Sequence, residues 1–218
     1  KFTAFNYGRN DRLRPVTGYK GVYDFTADEL APENDGIFLI DIATKAKTLL
    51  VSYKELEDLA IAEGQYNPHT GLFINHTLWN RLGDRIYFFV RANWDVKALD
   101  GNGDPYPRLN MVCSMHADGS NLKRHNKFIG GHPEWSDGYE MIGRSGSDQI
   151  IYDIESASTV GTLGNPSVFP DPEGDVSLSP DSEWFVNGFE PDHDNTLNQY
   201  SVYRMSDGAY KHSAEFSN

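Results

Sequence analysis

The sequence predicts an all-β chain of repeated antiparallel units, each four strands wide, and three observations predict it. Short apolar runs rich in β-branched and aromatic residues recur along the 218 residues, at ordinary strand length. The clusters between them, Asp100-Gly101, Ala117-Asp118-Gly119, Ser136-Asp137-Gly138, Ser179-Pro180-Asp181 and Ser206-Asp207-Gly208, hold residues that start turns or accept positive φ. A segment pattern also repeats, at intervals of about 40–55 residues.

Taken in order, Gly36–Ile42, Ala43–Lys47 and Thr48–Val51 read as strand, turn and strand. Tyr53–Glu63 is the one helical segment, with Tyr53, Leu56, Leu59 and Ala60 on one face. The repeat then begins. Asn75–Tyr87, Gly131–Ile142 and Gly174–Val186 align so that His76, His132 and Asp175 each precede Trp79, Trp135 or Leu178 by three positions. A tight turn and an apolar strand follow in each. Each copy leads into a second strand-turn-strand module: Arg108–Cys113 with Ala117–Gly119, Gln149–Ile154 with Glu155–Ser158, and Gln199–Tyr203 with Ser206–Gly208. The Gly36–Val51 hairpin is a fourth such module. A parallel sheet needs a helix or comparable crossover between its strands, and the sequence offers none in series. Two hairpins per repeat make the four-stranded blade of a β-propeller. The expectation is a single β-propeller domain over residues 1–218, with about four blades. Rings usually have four to eight blades, so the expected ring is larger than this chain. Further blades then come from outside this sequence or from a second chain, the alternative being a complete small propeller.

The chain carries a net charge of -13. An acidic surface repels phosphate backbones, which argues against nucleic acid as a partner. No run of about 18 apolar residues exists, so no membrane partner is expected. Lys1-Phe2-Thr3-Ala4 does not read as a signal peptide. The single cysteine, Cys113 in Met111–Met115, reads as a buried thiol.

In a propeller the first strand of each blade lines the central channel. The repeat therefore gives His76, His132 and Asp175 equivalent positions on successive blades. Two imidazoles and a carboxylate are a ligand set for zinc, manganese or iron. The alternative is that each bonds its own turn or a neighbouring blade. Arginine is the other candidate. Arg9, Arg12 and Arg14 cluster in Tyr7–Pro15, and Arg91 follows the strand Ile86–Val90. Guanidinium forks pair bidentately with carboxylates and sulfates, whereas salt bridging to the abundant Asp and Glu is the plainer role. The loops Asp100–Asp104 and Glu190–Asn195, the latter with His193, are rich in oxygen ligands for calcium but lack EF-hand spacing. No Gly-x-Ser-x-Gly elbow is present.

With these residues in view the chain resembles the propeller-fold polysaccharide lyases, the ulvan and oligogalacturonate lyases. The resemblance rests on Arg12-Leu13-Arg14-Pro15-Val16-Thr17-Gly18-Tyr19, Asp35-Gly36-Ile37, Asn75-His76, Arg91 with Trp94, His132 with Trp135, and Ser179-Pro180-Asp181, in that order. It departs at Asp175, which stands where a His is expected. The resemblance implies a seven-bladed ring, an anionic polysaccharide substrate, a secreted or periplasmic location and a divalent metal, zinc, manganese or calcium. It implies β-elimination at a uronic acid, with Arg14 or Arg91 neutralising the carboxylate. His76 serves as base or metal ligand, and His132 and Asp175 as metal ligands. The rival reading is a non-catalytic propeller that binds a protein or glycan partner.

Overall fold

The computed structural model describes residues 1–64, 69–192, 194 and 196–217. Strands take 42% of the chain and helices 9%, so the protein is all-β, with four antiparallel sheets. The first sheet holds β1 (Phe2–Ala4), β2 (Gly36–Ile40) and β3 (Lys47–Ser52) in that spatial order, with α1 (Tyr7–Leu13) between β1 and β2 and α2 (Tyr53–Ala62) after β3. The second is β4 (Phe73–Trp79), β5 (Arg85–Ala92), β6 (Leu109–His116) and β7 (Lys123–His125). The third is β8 (Gly130–Trp135), β9 (Glu140–Ser145), β10 (Asp148–Asp153) and β11 (Ser158–Leu163). The fourth is β12 (Val176–Leu178), β13 (Trp184–Phe189), β14 (Leu197–Arg204) and β15 (Tyr210–His212), and β16 (Phe216–Ser217) pairs with β14. Each sheet runs its strands in chain order. All four second hairpins expected from the sequence are present, as β2–β3, β6–β7, β10–β11 and β14–β15.

β1 and α1 were not anticipated. β1 is three residues long, too short to show a period. α1 has a mostly polar sequence, Tyr-Gly-Arg-Asn-Asp-Arg-Leu, so it carries no apolar stripe. Asn6 caps it, its side chain accepting from the Arg9 N–H. The expected helix over Tyr53–Glu63 appears as α2. Ser52 and Glu55 close a capping box at its start, and Leu56 and Ala60 are buried.

The described residues fall into two compact units, Lys1–Thr77 with Asp84–Arg124 and Leu78–Gly83 with His125–Asn218. In the first, the buried strand β5 presents Ile86, Tyr87, Phe88, Phe89 and Val90 in succession, all without solvent exposure. α1 is fixed by polar bonds. The fully buried Arg9 donates from Nε to the Leu72 carbonyl at 2.5 Å and from Nη1 to the Glu29 carbonyl at 3.0 Å and the Thr26 carbonyl at 3.3 Å. Its Nη2 donates to the Leu30 carbonyl, and its guanidinium lies 4.5 Å from the centre of the Tyr53 ring. Desolvation lowers the Arg9 pKa. Beside it, buried Asp35 accepts from Asn6 Nδ2 at 2.9 Å, Thr26 Oγ1 at 2.8 Å and the Gly36 N–H at 2.8 Å. Gly119, in the β6–β7 turn, sits at φ +88, and a Cβ there would lie 2.5 Å from the Leu50 carbonyl oxygen, which requires glycine.

In the second unit Ile142, Leu163, Val168, Phe169, Leu178 and Phe185 form one core between the third and fourth sheets. Polar bonds tie the turns together. Arg81 donates to the carbonyls of Leu178, Ser179 and Pro180, and Trp135 Nε1 donates to the Leu78 carbonyl at 3.0 Å. Ser179-Pro180-Asp181 is a turn closed by its own side chains, Ser179 Oγ donating to Asp181 at 2.5 Å.

Arg9→Met would keep the apolar stem while leaving carbonyls in a dry interior without a donor. An unpaired buried acceptor costs about 1–3 kcal/mol, so denaturant unfolding of this variant should show a loss of about 3 kcal/mol or more. A change below about 0.5 kcal/mol would show that water reaches these carbonyls.

Candidate functional site

The first unit gathers three arginines around one tryptophan. The guanidinium carbons of Arg91 and Arg108 each lie 4.7 Å from the Trp94 ring centre, and that of Arg14 lies 5.0 Å from it. Each residue is placed by a different device. Arg14 ends α1, its N–H bonded to the Asn10 carbonyl at 2.6 Å, just where the chain turns into a 3₁₀ turn at Pro15–Thr17. Arg91 is the seventh residue of β5 and stands opposite Asn110 of β6. Trp94 follows Asn93, which adopts φ +54. Asn accepts that left-handed conformation more readily than most residues. Buried Asn93 is held on three sides: its N–H donates to Thr70 Oγ1 at 2.8 Å, its Oδ1 accepts from the Ala98 N–H at 2.7 Å, and its Nδ2 donates to the Tyr106 carbonyl.

Arg91 is 8% exposed and donates to two amides, from Nε to Asn110 Oδ1 at 2.9 Å and from Nη1 to Asn75 Oδ1 at 3.4 Å. Burial, and then the positive charge of Arg14, push its pKa down to about 10. It is therefore still a cation at neutral pH. Arg14 keeps buried Nε and Nη1 atoms that have no hydrogen-bond partner. Buried donors without acceptors are costly, and more so when charged. Three like charges and unmet donors on one aromatic platform are the arrangement an anion relieves.

His76 is in the same unit. It lies within β4 at φ +53, and its ring meets Phe89 edge-on at 5.4 Å between centres. Arg91 lies 4.9 Å from that same Phe89 ring. A path of touching groups thus runs from His76 through Phe89 and Arg91 to Trp94 and Arg14. His132 and Asp175, in the second unit, meet each other, His132 Nδ1 lying 2.9 Å from Asp175 Oδ1, and both are well exposed. They border an open acidic cleft with Asp171, Glu173 and Glu190. Among the described residues no group of three or more His, Cys, Asp or Glu side chains is placed to hold a metal.

The alignment that made His76, His132 and Asp175 equivalent is not matched strand by strand. His76 is the fourth residue of β4, His132 lies in a bulge of β8, and Asp175 immediately precedes β12. Of the other candidates, Arg9 is structural, Arg12 pairs with Asp24 at 2.8 Å, and Cys113 is buried with its pKa pushed up to about 12 by desolvation. Asp100 of the Asp100–Asp104 loop accepts its own loop's N–H groups. His193 lies outside the described residues. Sequence reasoning missed Arg108, Asn75 and Asn110 as partners in the arginine cluster. The cross-strand pairing of Arg91 with Asn110 follows from the β5–β6 register, which the sequence alone does not set.

The chain matches no protein-family model and no curated protein sequence. No helix among the described residues is long and apolar enough to cross a membrane.

The cluster predicts anion-linked stability. Galacturonate at about 100 times its dissociation constant should raise unfolding free energy by about 2.7 kcal/mol, or roughly 5–10 °C in melting temperature for a chain of this size. The shift should vanish in the Arg14→Ala, Arg91→Ala double variant. Because Arg91 must be charged to bind, the shift should also shrink as pH rises through about 10. An equal shift in the double variant would place the anion elsewhere.

Proposed function

We propose that this chain acts on a uronic-acid-containing polysaccharide, ulvan-like in its chemistry, and cleaves it by β-elimination. The observation that carries this reading is the Arg14 guanidinium, with unmet buried donors, beside Arg91 on the Trp94 ring. A sugar acid has both features that such a site selects, a carboxylate for the guanidinium fork and a ring face for the tryptophan.

The chemistry follows from the charge. The proton at C5 of a uronate is weakly acidic because removing it builds negative charge next to a carboxylate. Guanidiniums on that carboxylate stabilise the developing enolate. His76 is the base in this reading. It takes the C5 proton, the C5 electron pair forms the double bond to C4, and the glycosidic oxygen leaves from C4 with its electrons. Asn75 and Asn110 hold Arg91 and are positioning residues. His132 and Asp175 are read as ligands for a divalent metal on the strength of the resemblance and the repeat alignment, and in the structure they bond directly to each other at 2.9 Å. In the same reading the four sheets are successive propeller blades, supported by the meander order of strands in each sheet.

Incubating the protein with ulvan, and separately with oligogalacturonate, should produce the ultraviolet absorbance of an unsaturated uronate. Arg91→Ala should lower kcat/KM by about 10²–10³-fold, as loss of a charge-stabilising donor does. His76→Ala should lower kcat by roughly 10²-fold or more. Chelator should reduce turnover if the metal reading holds. Saturable binding of either polymer with no absorbance change would discard the lyase and leave a glycan-binding protein.

A further inference from the structure

We propose that Asn93 is the positioning residue of the arginine cluster. Its side-chain amide completes a small hairpin in the loop between β5 and β6, and so holds Trp94 and Arg108 as a preformed platform for the ligand. This role presupposes that the cluster binds an anion, as proposed above, whereas the hairpin is present either way.

Trp94 and Arg108 stand at opposite ends of that loop, since β5 ends at Ala92 and β6 begins at Leu109. Between them the chain folds back on itself. The Tyr106 N–H donates to the Ala98 carbonyl at 3.0 Å, Leu99 and Pro105 form an antiparallel bridge, and the Asp100 N–H donates to the Asp104 carbonyl at 2.8 Å. Asp100 Oδ1 closes the tip, accepting from the N–H groups of Asn102 and Asp104. In an antiparallel ladder a hydrogen-bonded pair exchanges two bonds. Ala98 and Tyr106 make one directly, and the Asn93 amide is inserted where the other belongs. The Ala98 N–H donates to Asn93 Oδ1 at 2.7 Å, and Asn93 Nδ2 donates to the Tyr106 carbonyl.

Asparagine meets both demands of this position. It tolerates the left-handed φ of +54, and its short side chain carries an acceptor and a donor on one rigid amide. Asp would lose the donor, and Gly would lose both. The hairpin is also fixed from the segment that leads into β4. Thr70 Oγ1 accepts the Asn93 N–H at 2.8 Å, and the His69 ring stacks on Tyr106 at 3.5 Å between centres. Arg91 and Arg14 need no such support, because β5 and α1 place them. Trp94 and Arg108 have only the loop, and Arg108 is exposed. Ordering them at folding removes that cost from the binding step. Asn93 touches no ligand in this account and acts through Trp94 and Arg108.

The test is Asn93→Gly, which keeps the left-handed backbone and the Thr70 bond and removes only the amide. Calorimetric titration with oligogalacturonate should show binding weakened roughly tenfold. In turnover, KM should rise by a similar factor with kcat within about twofold, whereas a merely structural role would reduce the active fraction, lowering kcat and leaving KM unchanged. Added to the Trp94→Ala, Arg108→Ala double variant, Asn93→Gly should change affinity by less than about twofold, because it acts through those residues. Without ligand, the Ala98 amide should exchange its hydrogen faster in Asn93→Gly. If Asn93→Gly does not fold, Ala98→Pro removes the same bond from the loop side and carries the same expectations. Unchanged affinity in the single variant, a full further tenfold loss in the triple variant, or unchanged Ala98 exchange would each overturn this role alone. Wild-type protein that binds no oligogalacturonate would overturn the anion site and this role with it. Amide-dependent binding without unsaturated product would discard the lyase and keep the role.

Discussion

A full positive charge sits in the interior of the first unit with hydrogen-bond acceptors but no carboxylate directly on it. Arg9 is satisfied by backbone carbonyls from three stretches of chain, at Thr26, at Glu29 and Leu30, and at Leu72. A buried ion tolerates little displacement, because any donor that loses its acceptor incurs a large desolvation cost. The segments it gathers are therefore locked to α1. Asn10 on the same helix adds a bond to the Ile74 carbonyl at 2.9 Å, so α1 is pinned to β4 as well. Arg14 at the end of α1 inherits that placement, and the arginine cluster depends on it.

The cluster is built in the opposite way. Arg9 has a carbonyl for each nitrogen, whereas Arg14 has two buried nitrogens with none. Both lie on the same short segment, five residues apart. One is fully answered by its own protein and the other is not. Arg91 is intermediate, its two amide partners neutral, so they orient the guanidinium without cancelling its charge. This contrast separates the structural arginine from the arginines to which the proposed function gives a ligand.

Much of this was legible in the sequence. The strand pattern, the four second hairpins and α2 follow from periodicity and turn chemistry, Arg14 and Arg91 stood out as cations in an acidic chain, and Trp94 entered only through the resemblance. What was hidden depends on pairing across distance. Arg9 and Arg14 look alike in the run Arg9-Asn10-Asp11-Arg12-Leu13-Arg14, and only the fold makes one buried and satisfied. The repeat aligned His76 with His132 and Asp175 by counting positions. A bulge in β8 and the left-handed residue at His76 shift where those side chains leave their strands, and such irregularities have no strong sequence signature.

The meander order of the sheets bears on how the chain reaches this state. Every main sheet pairing joins strands that are neighbours along the chain, except for the β14–β16 addition. Within the third sheet the links are tight turns, so each hairpin can close with little loss of loop entropy. Local pairing of this kind favours rapid assembly of individual sheets. The first sheet is the exception, since β1 must find β2 across the whole α1 segment, at Phe2 opposite Ile40. Closure of that long loop, and with it the burial of Arg9, is the step expected to come late, so the arginine cluster would be the last part of the first unit to mature.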